Sequence, residues 1–289
     1  MASAYVLGLD FGTNSARAVI VDPKNGREIG AAVANYPSGD AGVILSKKDP
    51  NLARQDPADW LLAMTKAARS AVRRAKQSVA SFRPGMIVGI GIDATASTPL
   101  PVDAQGVPLM TAKRFKRDMN ALAWLWKDHT AFAEAAEITD RAKSEHPEYL
   151  AKCGGVYSSE WFWSKLLRCI RVAPKVFDAA ATWVEQCDYI PAALTGNNDP
   201  MTWKRSVCAA GHKGLYHADW GYPDAAFLDT FDPRLGALRR NGGFDRAHTS
   251  DKKEGGLSKE WTNTLRMTPG TPVAVDAIDD HIGAGGAGI

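Results

Sequence analysis

At 289 residues, with 45% hydrophobic and 23% charged side chains, the chain is long enough to bury a sizeable core and too apolar to be disordered. Its 35 basic and 32 acidic residues leave a formal net charge of only +3, which gives no ground for nucleic acid or an anionic membrane as the main partner. Met1 to Leu9 lacks the basic segment and cleavage pattern of a secretory signal, and no apolar run approaches the roughly 20 residues that span a bilayer. Cys153, Cys169, Cys187 and Cys208 are too widely spaced for a zinc site or a disulfide framework, so free thiols in a reducing cytoplasm are expected.

The first forty residues read as three strands. Tyr5 to Asp10 is apolar, and Arg17 to Val21 resumes after the polar turn Gly12 to Ser15. Asn25–Gly26 is a hairpin signal, because glycine accepts positive φ without cost, and Arg27 to Tyr36 follows as the third strand. A helix is expected next, with Asp56 as N-cap, Pro57 in the first turn and Trp60, Leu61, Met64, Ala67, Ala68 and Val72 on one face. Met86 to Asp93 is nearly all apolar, as suits a strand covered on both faces. Three strands, a helix and a fourth strand open a ribonuclease-H-like α/β domain.

The middle reads as an inserted, mostly helical region. Helices are expected over Asn120–Ile138, Trp161–Val172 and Ala179–Leu194, the last closed by Gly196. From Asp232–Pro233 to Lys259 the composition suggests a polar linker. Thr271 to Asp279 then reads as a strand running into the glycine-rich turn Gly283–Gly288. Such a turn normally opens a helix, so the end at Ile289 reads as an internal boundary, with a flexible glycine tail as the alternative.

Three segments carry chemistry. Asp10 ends a strand beside Gly12 and Thr13 in a tight turn, where backbone N–H groups, Thr13, Asn14 and Arg17 can cradle phosphate and the carboxylate can hold Mg²⁺ through water. An ordinary hairpin or a nuclease-type metal carboxylate would look the same on this segment alone. Asp279 and Asp280 end the last strand, where ligands gather in α/β sheets, and either could take the proton of an attacking hydroxyl. An aspartate pair capping a following helix is the plainer reading. Ile92 to Thr98 ends another strand in small residues that admit a polyol or merely pack closely. His129, His212 and His281 suit structural hydrogen bonds better than a metal cluster, and Trp124, Trp126, Trp161 and Trp163 suit the core better than sugar stacking.

Taken together, the segment from Asp10 to Arg17, the strand ending Asp93–Ala94–Thr95–Ala96–Ser97, Trp126–Lys127–Asp128–His129, Val156 to Trp163, Glu185 to Asp188, Cys208 to Lys213 and Val275 to His281 resemble the FGGY carbohydrate kinases, and their L-ribulokinase branch most. The matches run in order along the whole chain. Trp126 to His129 and Tyr157 to Trp163 mark the branch, whereas the Asp10 turn marks the wider actin-like superfamily.

The resemblance implies that residues 1–289 form the N-terminal, sugar-binding domain, with an ATP-holding domain beyond them and a homodimer as one assembly of the longer protein. It implies transfer of the ATP γ-phosphoryl group to a pentulose, L-ribulose in L-arabinose breakdown, with another pentulose or a polyol as the alternative substrate and a non-catalytic sugar-binding fragment as the alternative role. Carried over by position, Asp279 is the catalytic base and Ala96 and Lys213 contact the sugar. Asp10, Thr13, Asn14 and Arg17 face the phosphates, with Mg²⁺ at Asp10. The departure from the pattern is Asp276 and Asp280 around the base, where relatives carry neutral or smaller residues. Extra carboxylates there would raise the pKa of Asp279.

Overall fold

The computed structural model describes residues 4–286. Strands β1 (Tyr5–Phe11), β2 (Ser15–Asp22) and β3 (Arg27–Asn35) form an antiparallel meander, and Gly26 takes a φ of 72° in the turn between the last two. Helix α1 (Pro57–Ser78) starts where the sequence signals it, with the Asp56 carboxylate accepting from the Ala58 N–H. It leads into β4 (Ile87–Ala94), which pairs parallel to β1. Late in the chain β5 (Lys253–Gly256), β6 (Pro272–Ala274) and β7 (Ala277–Ile278) complete a seven-stranded sheet of order β5-β6-β4-β1-β2-β3, with β7 also paired parallel to β4. This is the ribonuclease-H-like order.

Alternation along β1 buries Tyr5, Leu7, Leu9 and Phe11 on one face and turns Val6, Gly8 and Asp10 to the other. The buried face meets Trp60, Ala63, Met64, Ala67 and Ala71 of α1. Close approach of α1 to β3 depends on Gly30: a Cβ there would stand 2.4 Å from the Ala71 carbonyl oxygen and 2.7 Å from the Ala75 nitrogen. Both obstacles are backbone, so neither can swing aside.

Between β4 and β5 lies the inserted region. Its helices α2 (Phe132–Glu145), α3 (Phe162–Val172), α4 (Gln186–Thr195), α5 (Val207–Lys213) and α6 (Pro233–Asn241) enclose a second core that includes Trp163, Leu166, Leu167, Phe177, Trp183 and Phe244. Helix α4 belongs to both layers. It ends in Gly196, whose φ of 70° is the left-handed cap its sequence suggests, and its Ile190 and Leu194 join the core under the main sheet.

Four expectations are corrected. Asn120–Ile138 is not one helix: a short strand, Ala123–Trp124, pairs with Ala53–Gln55, and helix begins only at Phe132. The Ala179–Leu194 helix begins at Gln186, because Thr182–Glu185 is a buried strand paired with Pro99–Val102. The expected linker after Pro233 contains α6 and β5, the latter hydrogen-bonded to β6. The strand expected over Thr271–Asp279 is broken into β6 and β7, and helix α7 (Asp279–Gly286) opens at Asp279 itself, so Gly283–Gly286 of the expected turn are its last residues. The remaining glycine-rich residues, 287–289, lie outside the described residues. All four cysteines are free, and among the described residues no helix is long and apolar enough to cross a membrane.

Gly30→Ala should destabilise the domain by about 2–3 kcal/mol through overpacking against the α1 backbone. Urea unfolding of the purified variant checks this, and an unchanged midpoint would mean that the helix can move away freely.

Candidate active site at the carboxyl ends of the parallel strands

The sheet register brings the strand-end carboxylates together. Asp10 of β1 lies opposite Asp93 of β4, Asp93 lies opposite Ala277 of β7, and Asp279 follows two residues later as the first residue of α7. Asp93 feels the cost most. Partial burial comes first, then the charges of Asp10 and Asp279, and together they push its carboxyl up to about 7. Its Oδ1 is buried without a hydrogen-bond partner. Asp279 is raised as well, by burial first and by Asp280 second. The like-charge effect expected from Asp280 is therefore present but subordinate to desolvation. Asp276 is fully buried and its carboxyl is driven well above the ordinary range by burial, then by Asp93. The Asp280 N–H donates to Asp279 Oδ1 at 3.0 Å, which fixes the orientation of that carboxylate at the helix start.

On the Asp10 side the sequence-predicted residues meet. Arg17 donates to Asp10 Oδ2 at 2.6 Å, and the pair is open to solvent. The Gly12 N–H donates to the Ser15 carbonyl, closing the turn. Thr13 is held from two directions: Gln55 Nε2 donates to its carbonyl at 2.7 Å, and Trp126 Nε1 donates to its hydroxyl oxygen at 3.0 Å. Because the indole occupies an acceptor lone pair, the hydroxyl proton stays available to a ligand oxygen. Asn14 is placed differently from the other three. Its amide donates to the Ala41 carbonyl at 2.5 Å and braces the loop after β3.

On the opposite side, Ala96 sits in the loop that leaves β4. Lys213 ends α5 with its side chain almost fully buried, the ammonium 5.6 Å from the Trp161 ring and the backbone carbonyl accepting from Tyr157 Oη at 2.7 Å. The neighbouring His212 stacks on His281, two residues past Asp279, with ring centroids 5.8 Å apart. The end of α5 therefore meets α7 through these two rings. Of the tryptophans, Trp124 and Trp163 are core residues, whereas Trp126 and Trp161 touch the site. Among the described residues, no three His, Cys, Asp or Glu side chains are grouped as a metal would need.

Trp126 and His129 come from the motif that marks the branch, and Asp128 within it forms a buried ion pair with Arg54, whose guanidinium lies 3.6 Å over the Trp124 ring. The sequence reading missed Asp93 as part of the site. The signal was a carboxylate closing an apolar strand, the same signal used for Asp10. A depression of about 510 Å³ on the uncovered sheet face is lined by Gly8, Asp10, Arg17, Val33, Asp93 and Ile282, among others.

A mixed, ribonuclease-H-like sheet with acidic residues at the carboxyl ends of its parallel strands defines a domain of the sugar-kinase and actin-like class. The chain belongs to the FGGY family of carbohydrate kinases, whose N-terminal domain it matches over residues 5–286. It is 40% identical over 286 residues to the ribulokinase of Vibrio parahaemolyticus, covering 98% of this chain and 49% of that protein. With the ribulokinase of Shouchella clausii it shares 36% over 292 residues, covering 99% and 50%. The chain thus spans about half the length of the curated relatives it matches. Xylulose kinases from Bifidobacterium adolescentis (TM-score 0.74, 14% identity, 99% of this chain and 56% of that one) and Rhodospirillum rubrum (0.71, 23%, 99% and 52%) share the fold.

Because the folded-state pKa of Asp93 lies near 7 and its ordinary value is 3.8, the native state loses stability from this group as pH rises from about 4 to about 7. Asp93→Asn should therefore gain on the wild type across that window, and the gain should level off above it. Chemical denaturation at stepped pH reads the difference, and a constant offset would mean that Asp93 is fully solvated.

Proposed function

We propose that this chain is the sugar-binding half of an ATP-dependent pentulose kinase acting on L-ribulose, with Asp279 as the base. The observation that carries the reading is the placement of Asp279: first residue of α7 at the end of β7, raised in pKa by desolvation and Asp280, and close enough to Asp10 to feel its charge. A base whose pKa is lifted toward the working pH is better matched to a hydroxyl proton than a solvated carboxylate. The terminal hydroxyl oxygen of the open-chain sugar attacks the γ-phosphorus, and its proton passes to the Asp279 carboxylate. The bond from the γ-phosphorus to the bridging oxygen breaks, and ADP leaves with the electron pair.

Lys213 and the backbone at Ala96 orient the sugar. The free hydroxyl proton of Thr13 and the N–H groups of its turn receive phosphate oxygens, and Arg17 moves from Asp10 toward the incoming charge. The exposed oxygens of Asp10 suit a hard divalent cation that keeps most of its waters, so Mg²⁺ fits there. When bound, Mg²⁺ supplies charge neutralisation at the phosphates. The ribulokinase names of relatives at 40% and 36% identity support the choice of sugar.

In the polypeptide that carries this chain together with a nucleotide-binding half, Asp279→Asn should cut kcat by roughly 10²–10⁴-fold and leave sugar affinity within a few-fold. Asp280→Asn should do much less. Equal losses, measured by coupled ADP release, would move the base to the wrong carboxylate. In the same assay L-ribulose should show a higher kcat/KM than xylulose or glycerol, and a preference for either of the others would keep the kinase and overturn the sugar.

A further inference from the structure

Two oppositely charged side chains are buried behind the Ala96 loop, and neither has a part in the chemistry above. Lys165, in the first turn of α3, is fully enclosed. Its ammonium donates to three backbone carbonyls: Ser97 at 2.8 Å, Leu125 at 2.8 Å and Trp124 at 3.2 Å. Glu185, at the end of the strand before α4, grips the same loop from the other side, accepting from Ser97 Oγ at 2.5 Å and from the Thr98 N–H at 2.7 Å. Thr95 Oγ1 donates to Gln186 Oε1 at 2.8 Å, so the loop is tied at Thr95, Ser97 and Thr98 around Ala96.

Three carbonyl acceptors match the three protons of an ammonium, and a neutral amine has only two to give. Burial alone would drive Lys165 toward neutrality, while the charges of Asp128 and Glu185 favour the ammonium. A buried cation of this kind is costly unless every proton is used, and here every proton has an acceptor.

The acceptors lie in two different segments. Ser97 belongs to the loop that carries Ala96. Trp124 and Leu125 immediately precede Trp126, whose indole holds the Thr13 hydroxyl on the far side of the site. A short apolar core could have filled the space between these segments; an ammonium instead bonds both.

We propose that Lys165 is a positioning residue that couples the sugar-side loop at Ala96 to the phosphate-side turn at Thr13, through Trp124–Trp126. This rests on the proposed function for the names of the two sides, but the mechanical link between them does not. Lys165 touches neither sugar nor phosphate, and it acts through the backbones it holds.

Amide hydrogen exchange on this chain, without any ligand, tests the link. Lys165→Met keeps the length and loses the three bonds. It should speed exchange about tenfold or more both at Thr98, whose N–H donates to Glu185, and within 12–14 at Gly12, whose N–H donates to the Ser15 carbonyl, with α1 and β3 unchanged. Faster exchange at 97–98 alone would overturn the coupling and leave only local support. Trp126→Phe cuts the far link with Lys165 in place, so it remains informative if Lys165→Met fails to fold. Since coupling is reciprocal, it should loosen 12–14 strongly and 97–98 measurably, and an unmoved 97–98 would overturn the proposal.

A third arm uses L-ribulose as the probe. In the wild type, sugar binding should slow exchange at 12–14. In Lys165→Met, added at a concentration that restores occupancy, it should slow exchange at 97–98 only, and continued protection at 12–14 would count against the coupling. Failure of the wild type to bind L-ribulose would sink the sugar assignment, while the two ligand-free arms would still decide the role of Lys165.

Discussion

Parallel pairing of β1 with β4, and of β4 with β7, forces carboxylates to the same edge of one sheet. Asp10 and Asp93 face each other across a single rung, and Asp279 stands at the end of the next strand. Like charges this close in a partly dry site cannot all ionise freely. The repulsion is distributed unequally: Asp10 is paired with Arg17 in solvent, Asp93 is partly buried with Oδ1 unpartnered and only a secondary benefit from Arg17, and Asp276 is fully buried. The order of these environments leaves neighbouring carboxylates at one end of the sheet with different tendencies to hold a proton.

The insertion holds the other half of this arrangement. It packs its own core, and from that core it sends Trp126 to Thr13, Lys213 to the Trp161 ring and His212 of α5 against His281 of α7. The Arg54–Asp128 pair anchors the Trp126 segment to the short strand after β3, with the Asp128 carboxylate also accepting from the Ala53 and Thr130 N–H groups. Removing one partner of such a pair leaves a buried charge uncompensated, which is costlier than never having had it. The motif that marks the branch therefore combines an apolar wedge, a hydrogen-bond donor to the site and an internal counter-ion.

Strands with clean alternation and a helix with a proper cap were legible from residues alone. β1 to β4 fall within one or two residues of their expected bounds, α1 starts where expected, and Asp56, Pro57, Gly26 and Gly196 act as their chemistry dictates. The insertion was less legible for a physical reason. Ala121 to Leu125 are buried on all sides, so their apolar run carries no period, and a two-residue strand looks the same as a helical turn. Thr182–Glu185 was hidden in the same way. The polar, glycine-containing stretch after Pro233 folds because Leu235 and Phe244 reach the second core, which composition averages conceal. In the site, Asp10 and Asp279 were visible as strand ends, whereas Lys165 was not. Its only trace was a lysine on the apolar face of α3, among Phe162, Leu166 and Cys169.

The two sides of the site differ in how they resist reorganisation. Around Ala96 and Lys213 the polar groups are buried and tied, so their dipoles are already oriented before a ligand arrives, and that orientation is what makes electrostatic catalysis effective. At Asp10 and Arg17 the ion pair stands in water, where an exposed contact contributes at most about 1 kcal/mol and is screened by salt. A phosphate meeting Arg17 there competes with Asp10 and with solvent, and gains little until water is excluded. The tied turn at Thr13 lies between these regimes: its backbone and hydroxyl are fixed from within by Gln55 and Trp126, while its donors still face outward. The buried side is thus fixed and the open one free to respond, and the segment from Trp124 to Trp126, bonded to Lys165 at one end and to Thr13 at the other, runs between them.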